Sequence, residues 1–381
     1  MDFELTTEQL NMQQMAREYV EKEVIPVAAE CDEKEEMPVE LVRRMVAEGF
    51  STIAIPEEYG GAGMDDVTLC LVNEELGRGC AGIGTGVGAN SLAALPILLA
   101  GSEEQKNKYL NDICSGKLAS FCLTEPNAGS DVSSISTTAI KNGSEYVING
   151  SKCFITNGTY ADYYVVFALI NPQRGARSLT PFVVEKGTDG LDASRKERKM
   201  GIRASNTAEV VFNEVRVPEE NMLGKESGGF RTAMETFDIS RPMIAALAVG
   251  LARAAYEAAA QYARQRVQFG KPIIQQQAIQ FMLADMAMEI EAARFLYLRS
   301  AGMVGKKDKR ISAFSAMSKA YAGDMAMRVT VDALQILGGY GYTREYPLEK
   351  YMRDAKIMQI YEGTSQIQRL IIANSIIGGK L

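Results

Sequence analysis

Tyr163-Tyr164-Val165-Val166-Phe167-Ala168-Leu169 is an unbroken apolar run rich in aromatic and β-branched residues. Its length and composition predict a buried strand. Similar β-rich runs lie at 121–124, 145–148, 153–156 and 210–217. Asn142-Gly143 and Asn149-Gly150 have hairpin-turn chemistry, in which glycine supplies the positive φ, and both are read as turns. The region from about 117 to 232 therefore reads as sheet.

On either side the apolar period becomes helical. Thr6 with Gln9 and Ser102 with Gln105 form capping-box patterns, Pro38 opens a further helix, and Gly49, Gly77 and Gly116 mark helix ends. Beyond 233 come long Ala- and Met-rich helical stretches, notably 243–268 and 279–303. Small residues over 245–260 suit close helix packing in a bundle or at a subunit contact. The order is helices, sheet, helices: an α+β chain divided at 1–117, 118–232 and 233–381, without internal repeats.

Composition narrows the chemistry. At 381 residues, 46% hydrophobic and 23% charged, the chain has the makings of two or three packed units. A net charge of −7 disfavours a nucleic-acid partner. The six cysteines (Cys31, Cys70, Cys80, Cys114, Cys122, Cys153) show no CxxC pair and read as reduced thiols. The absence of histidine removes the commonest metal ligand and general base, so no metal site is expected, and proton transfer falls to carboxylates, Lys, Tyr, Cys or a cofactor. No apolar run is read as reaching the ~18–20 residues of a membrane span, and Met1-Asp2-Phe3-Glu4 is acidic where a signal peptide is basic, so a cytoplasmic protein is expected.

Gly84-Thr85-Gly86-Val87-Gly88-Ala89 fits a dinucleotide-binding fingerprint, but the preceding 66–76 has helical spacing with Glu74 and Glu75 inside it. Without a strand feeding the first glycine, the segment is read as a loop between helices.

Six segments carry more chemistry. Thr124-Glu125-Pro126-Asn127-Ala128-Gly129-Ser130-Asp131 follows a strand and can offer hydroxyls and backbone N–H groups to an anion or ring. In Phe154-Ile155-Thr156-Asn157-Gly158 an aromatic and a hydroxyl share one strand face. Arg266-Val267-Gln268-Phe269-Gly270-Lys271 ends a long helix, and Gly338-Gly339-Tyr340-Gly341-Tyr342 admits close backbone approach. Met352-Arg353-Asp354-Ala355 precedes Tyr361-Glu362-Gly363-Thr364-Ser365-Gln366, where an acid stands between an aromatic and a glycine. Each alone is equally an ordinary turn, strand end or helix cap.

In this order and at these separations, the segments resemble the acyl-CoA dehydrogenase flavoprotein family along essentially the whole chain, nearest its medium- and short-chain branch. The resemblance implies an N-terminal helical domain, a central β-barrel-like domain and a C-terminal four-helix bundle, assembled as a homotetramer, a dimer of dimers. It implies FAD held by Phe121, Leu123, Thr124, Gly129, Ser130, Phe154 and Thr156, with Thr364 and Gln366 near the adenosine half. Arg266, Phe269, Gln277, Gln335 and Gly339 would reach the flavin of a neighbouring subunit. Ser130, Asp238 and Arg241 are expected to contact the CoA substrate, with Tyr361 and Gly363 flanking the acyl group, while Asn374 replaces an arginine found in some relatives. Glu362 is the expected base; the alternative position used by some branches is Ser240, which cannot ionise. Gly88 stands where medium-chain relatives often carry a larger acid, which predicts a wider or deeper acyl cavity.

The implied reaction removes the α-proton to Glu362 and a β-hydride to FAD, giving a 2-enoyl-CoA, with an electron-transferring flavoprotein reoxidising the flavin. An acyl-CoA oxidase, an enoyl-CoA reductase and a non-catalytic flavin-binding relative share the same scaffold as alternatives.

Overall fold

The computed structural model describes residues 4–306 and 308–381; Met1, Asp2 and Phe3 of the acidic start lie outside them. The chain opens with α1 (Thr7–Tyr19), a π-helical turn (Val20–Val24), α2 (Ile25–Lys34), α3 (Val39–Ala47), α4 (Asp66–Ala100) and α5 (Glu103–Cys114). Both capping boxes form, Thr6 with Gln9 and Ser102 with Gln105, and Pro38 caps α3.

Gly49 and Gly116 take positive φ just beyond α3 and α5, as helix ends require. Gly77 does not end a helix. It lies inside α4, as does the whole of 84–89, which corrects its reading as a loop. The reason is packing against a second long helix, α6 (Gly229–Gln265). A Cβ on Gly77 would stand 2.1 Å from the Leu247 carbonyl oxygen, and one on Gly250 would stand 1.9 Å from that of Glu74. These glycines let two backbones touch, so a pattern that mimics a phosphate loop serves as a helix-crossing surface. A kink at Cys80 (φ −161°, ψ 109°) divides α4.

The middle of the chain forms β1 (Ala119–Cys122), β2 (Thr138–Asn142), β3 (Glu145–Thr156), β4 (Tyr163–Leu169), β5 (Leu179–Glu185), β6 (Leu191–Asp192) and β7 (Thr207–Pro218). They make one open half-barrel in the order β1-β4-β2-β3-β7-β6, with β5 paired to β4. β4 is buried along its whole length, which is why its sequence never alternates. Asn142-Gly143 turns the β2–β3 hairpin. Asn149-Gly150 does not turn: the two predicted strands at its sides are one strand, β3, with a register shift between Ile148 and Gly150. Glycine serves a bulge as readily as a turn, and a Cβ here would meet Thr137 Oγ1 at 2.4 Å.

After α6 come the two-residue strands β8 (Val267–Gln268) and β9 (Lys271–Pro272), then α7 (Gln277–Ala301), α8 (Ile311–Leu337), α9 (Leu348–Ala355) and α10 (Ser365–Ile377). α6, α7 and α8 pack on one another and α10 lies on α8. α4 and α6 are long and apolar enough to cross a membrane, contrary to the reading that no such run exists. Both are core helices, with 67% and 72% of their most apolar windows buried. Between them, Glu74 of α4 ties the domains by accepting from Arg294 at 2.7 Å and from Arg253.

Candidate active site

Glu362 sits in the short loop between the 3-10 turn Lys356–Gln359 and α10. Its φ is 51° and that of Gly363 is 91°. A non-glycine residue in the left-handed region costs about 1–2 kcal/mol and persists only where the surroundings fix it. Here Gln368 Nε2 donates to the carbonyls of both Glu362 and Gly363 at 3.0 Å. Thr364 then caps α10, its Oγ1 accepting from the Ile367 N–H at 3.2 Å.

The carboxylate of Glu362 faces α6, where Ser240 Oγ donates to its Oε2 at 2.6 Å. The presentation of Ser240 and Arg241 has a local cause: Pro242 lacks the N–H that would bond the Asp238 carbonyl, and Ser315 Oγ of α8 takes its place at 2.6 Å. Arg241 is 4% exposed and pairs with Asp238 at 2.9 Å; its Nε has no partner among the described residues. Burial raises the Glu362 carboxyl above the ordinary glutamate range, outweighing the Ser240 hydrogen bond and the charges of Lys319 and Arg241. A base with a raised pKa, still partly open to solvent, is matched to taking a weakly acidic proton. Tyr361, beside it, is partly buried, its hydroxyl donating to Met358 Sδ at 3.1 Å.

The residues expected to hold the flavin from the middle domain lie on or just after β1, in the 124–131 loop and at the end of β3. The Thr124 carbonyl accepts from the Cys153 N–H at 3.0 Å, which fastens the 124–131 loop to the end of β3. Leu123 is buried, and Phe121 stacks between Phe167 and Phe237, with ring centroids 5.0 and 5.6 Å away. An extra residue between Lys152 and Ile155 bulges β3 and pushes Phe154 outward, 66% exposed at φ 59°. Among the described residues, the hydroxyls of Thr124, Ser130 and Thr156 have no hydrogen-bond partner. A Cβ on Gly129 would meet nothing within 4 Å. Uncommitted donors around an exposed ring and an open glycine fit a planar, polyhydroxylated cofactor such as FAD.

The loop's shape rests on Glu125, which sequence reading passed over. Its carboxylate is 3% exposed and accepts from the Ser136 and Thr137 N–H groups at 2.7 and 3.0 Å and from Lys152 Nζ at 2.7 Å. Burial alone would raise this carboxyl, but Lys152 and these donors hold it down at about 2.

The residues expected to reach a neighbouring subunit lie elsewhere. Arg266 stacks over the Tyr340 ring at 5.5 Å, and Phe269, at the tip of the β8–β9 hairpin, is 93% exposed. Arg266, Phe269 and Gly339 line one apolar groove of about 680 Å³; Gln277 and Gln335 are exposed beside residues that line it. Gln366 is exposed on the first turn of α10. Among the described residues no group of three or more Cys, Asp or Glu is arranged to hold a metal, and all six thiols are free.

Three domains in this order, with a buried carboxyl at the loop before the last helix, define the class of acyl-CoA dehydrogenase-type flavoproteins. The chain matches the N-terminal, middle and C-terminal domains of acyl-CoA dehydrogenase over residues 6–117, 120–215 and 227–377, and it belongs to that family of enzymes. It is 46% identical over 383 residues to a short-chain specific acyl-CoA dehydrogenase of Clostridium acetobutylicum, covering 99% of this chain and 100% of that one. Butyryl-CoA dehydrogenase from Megasphaera elsdenii superposes with a TM-score of 0.96 at 44% identity over 99% of this chain and 100% of the other. A chain solved in work on the electron transferring flavoprotein of Acidaminococcus fermentans gives 0.97 at 46% identity, over 99% and 100%. PigA, solved with FAD and proline, shares the fold at 29% identity with a TM-score of 0.95 over 99% of each chain.

Sequence reading named Ser240 only as the alternative base position and missed its contact with Glu362. It also missed Lys319, whose Nζ donates to the Gly363 carbonyl at 2.7 Å. The available signal was the burial phase of α8, which places this lysine among alanines and serines facing the core.

Proposed function

We propose that this acyl-CoA dehydrogenase oxidises a short-chain acyl-CoA thioester between its α and β carbons, with Glu362 as the base and FAD as the cofactor. The observation that carries this reading is the Glu362 carboxyl, raised by burial and aimed by Ser240 from a loop held in the left-handed region.

Thr124, Gly129, Ser130, Phe154 and Thr156 would hold the flavin from the middle domain, with Phe121 and Leu123 beneath. When bound, FAD supplies the acceptor for the β-hydride. Glu362 would take the α-proton on its carboxylate, with Tyr361 and Gly363 confining the acyl group beside it. Exclusion of water by the packed α6–α8 wall strengthens the field of every nearby donor on the developing enolate. Asp238, Arg241 and Ser130 would contact the CoA portion, with Arg241, 4% exposed, toward the inner end of the ligand.

A short acyl group is supported by the C. acetobutylicum and M. elsdenii relatives. The A. fermentans neighbour supports an electron-transferring flavoprotein as the acceptor. The groove at Arg266, Phe269 and Gly339, with Gln277 and Gln335, would meet the flavin of a second copy in a homotetramer, and Thr364 and Gln366 would lie near the adenosine half of FAD. The burial of α4 and α6 agrees with a cytoplasmic enzyme.

The test is anaerobic bleaching of the purified flavoprotein by butyryl-, octanoyl- and palmitoyl-CoA. Butyryl-CoA is expected to reduce the flavin with the highest second-order rate constant. Preference for palmitoyl-CoA would overturn the short-chain assignment, and rapid reoxidation by oxygen would favour an oxidase.

A further inference from the structure

Among the described residues three lysines are buried, and two have the partner that a buried ammonium requires. Lys152 pairs with Glu125 at 2.7 Å and Lys350 with Asp354 at 2.6 Å. Lys319, 1% exposed on α8, forms no ion pair among the described residues. Its Nζ donates to the Gly363 carbonyl at 2.7 Å and stands 6.0 Å from the centre of the Tyr361 ring. An unpaired interior ammonium is costly, and this one is spent on the peptide that follows the base.

We propose that Lys319 is the positioning residue of the active site, holding the Glu362–Gly363 turn through the Gly363 carbonyl and directing a positive charge at the Glu362 carboxylate. The proposal rests on the reading of Glu362 as the base. Gly363 O accepts from both Lys319 and Gln368, so α8 and α10 together fix two successive residues with positive φ. Fixing them fixes the direction of the carboxylate, on which a proton transfer depends steeply.

The charges around Lys319 are few. Glu362 faces it from the loop; Arg241, with its partner Asp238, faces it from α6; Asp324 lies on its own helix but is bound to Arg369 of α10 at 2.6 Å. Tyr361 lies between this group and Thr85 of α4. Burial and Arg241 lower the Lys319 ammonium to about 7, with Glu362 opposing. The positive charge beside the base therefore comes and goes near neutrality, and each of the two groups favours the charged form of the other.

The experiment is the pH profile of anaerobic flavin bleaching by butyryl-CoA, with the limiting reduction rate and the apparent Kd separated, for wild type, K319M, K319R and E362Q. For K319M, the limiting reduction rate at pH 7 is expected to fall at least about tenfold with the apparent Kd within about threefold, and the acid limb to move to higher pH by at least about half a unit. K319R keeps the charge, so its acid limb should stay in place; wild type should show a second ionisation near neutrality that K319R lacks. Flavin content and Tm of each variant separate a lost fold from a lost alignment. A K319M profile matching wild type overturns the proposal, as does a K319R limb displaced like that of K319M. Should neither variant fold, a wild-type profile with a single ionisation between about pH 5 and 9 overturns it as well. E362Q that bleaches at the wild-type rate sinks the base assignment itself; E362Q inactive with K319M unaffected sinks only the role of Lys319.

Discussion

Ser240 Oγ lies 2.6 Å from Glu362 Oε2, joining the middle of α6 to the loop that precedes α10. Two positions far apart in the chain, read from the sequence as the expected base and its alternative, thus meet at one hydrogen bond. The residue that cannot ionise stabilises the ionised form of the one that can.

Replacing Ser240 by Ala removes that donor. A hydrogen bond to a charged group contributes about 1.5–3 kcal/mol, so S240A should lower the bleaching rate at pH 7 roughly tenfold and move its acid limb upward. Stopped-flow reduction across pH checks both. An unshifted limb would show that the serine only fills space.

The raised Glu362 carboxyl also has a sign for stability. A carboxyl raised on folding contributes stability below its unfolded value, and that contribution is lost as pH rises through the folded value. E362Q never ionises, so it should melt higher than wild type at pH 8, by roughly 1–4 °C if the penalty is about 1 kcal/mol, and gain nothing at pH 4. Calorimetry of the two proteins at both pH values decides the point.

Glu125 behaves oppositely. Its carboxyl is held at about 2, so its contribution is complete above the ordinary glutamate range and disappears as pH falls toward that value. E125Q leaves Lys152 buried without a counter-charge and should cost about 3–5 kcal/mol at pH 7, the deficit narrowing below about pH 4. Urea unfolding at pH 7 and 4 measures it. The variant should also release flavin, because the Thr124 to Asp131 loop loses its anchor.

Glycine substitutions separate the fold from the site. G250A brings a Cβ to 1.9 Å from the Glu74 carbonyl and should cost more than about 3 kcal/mol or abolish soluble expression, since backbone cannot step aside. G129A meets nothing within 4 Å and should keep the apoprotein Tm while lowering flavin occupancy. Comparable unfolding of both variants would count against a ligand-facing role for Gly129.

Local chemistry made part of this molecule legible. The Thr6 and Ser102 boxes and the β4 run each depend on neighbours in sequence, and the structure keeps them. Asn149-Gly150 and the 84–89 glycines were misread because glycine's permissiveness serves turns, bulges and helix crossings alike; only the partner, Thr137 or Leu247, tells them apart. The base loop stood out because Tyr361-Glu362-Gly363 carries its own signature. Lys319 and Glu125 did not, since a lysine or glutamate in a sequence reads as solvent-facing until the element covering it is known.

The central claim is that Glu362 removes the α-proton. E362Q keeps the shape of the side chain and removes the base, so the most direct measurement is single-turnover bleaching of its flavin by butyryl-CoA under anaerobic conditions. Full flavin content, retained binding of the thioester and a rate reduced about 10²–10⁴-fold are expected. Bleaching at more than about a tenth of the wild-type rate would contradict the claim.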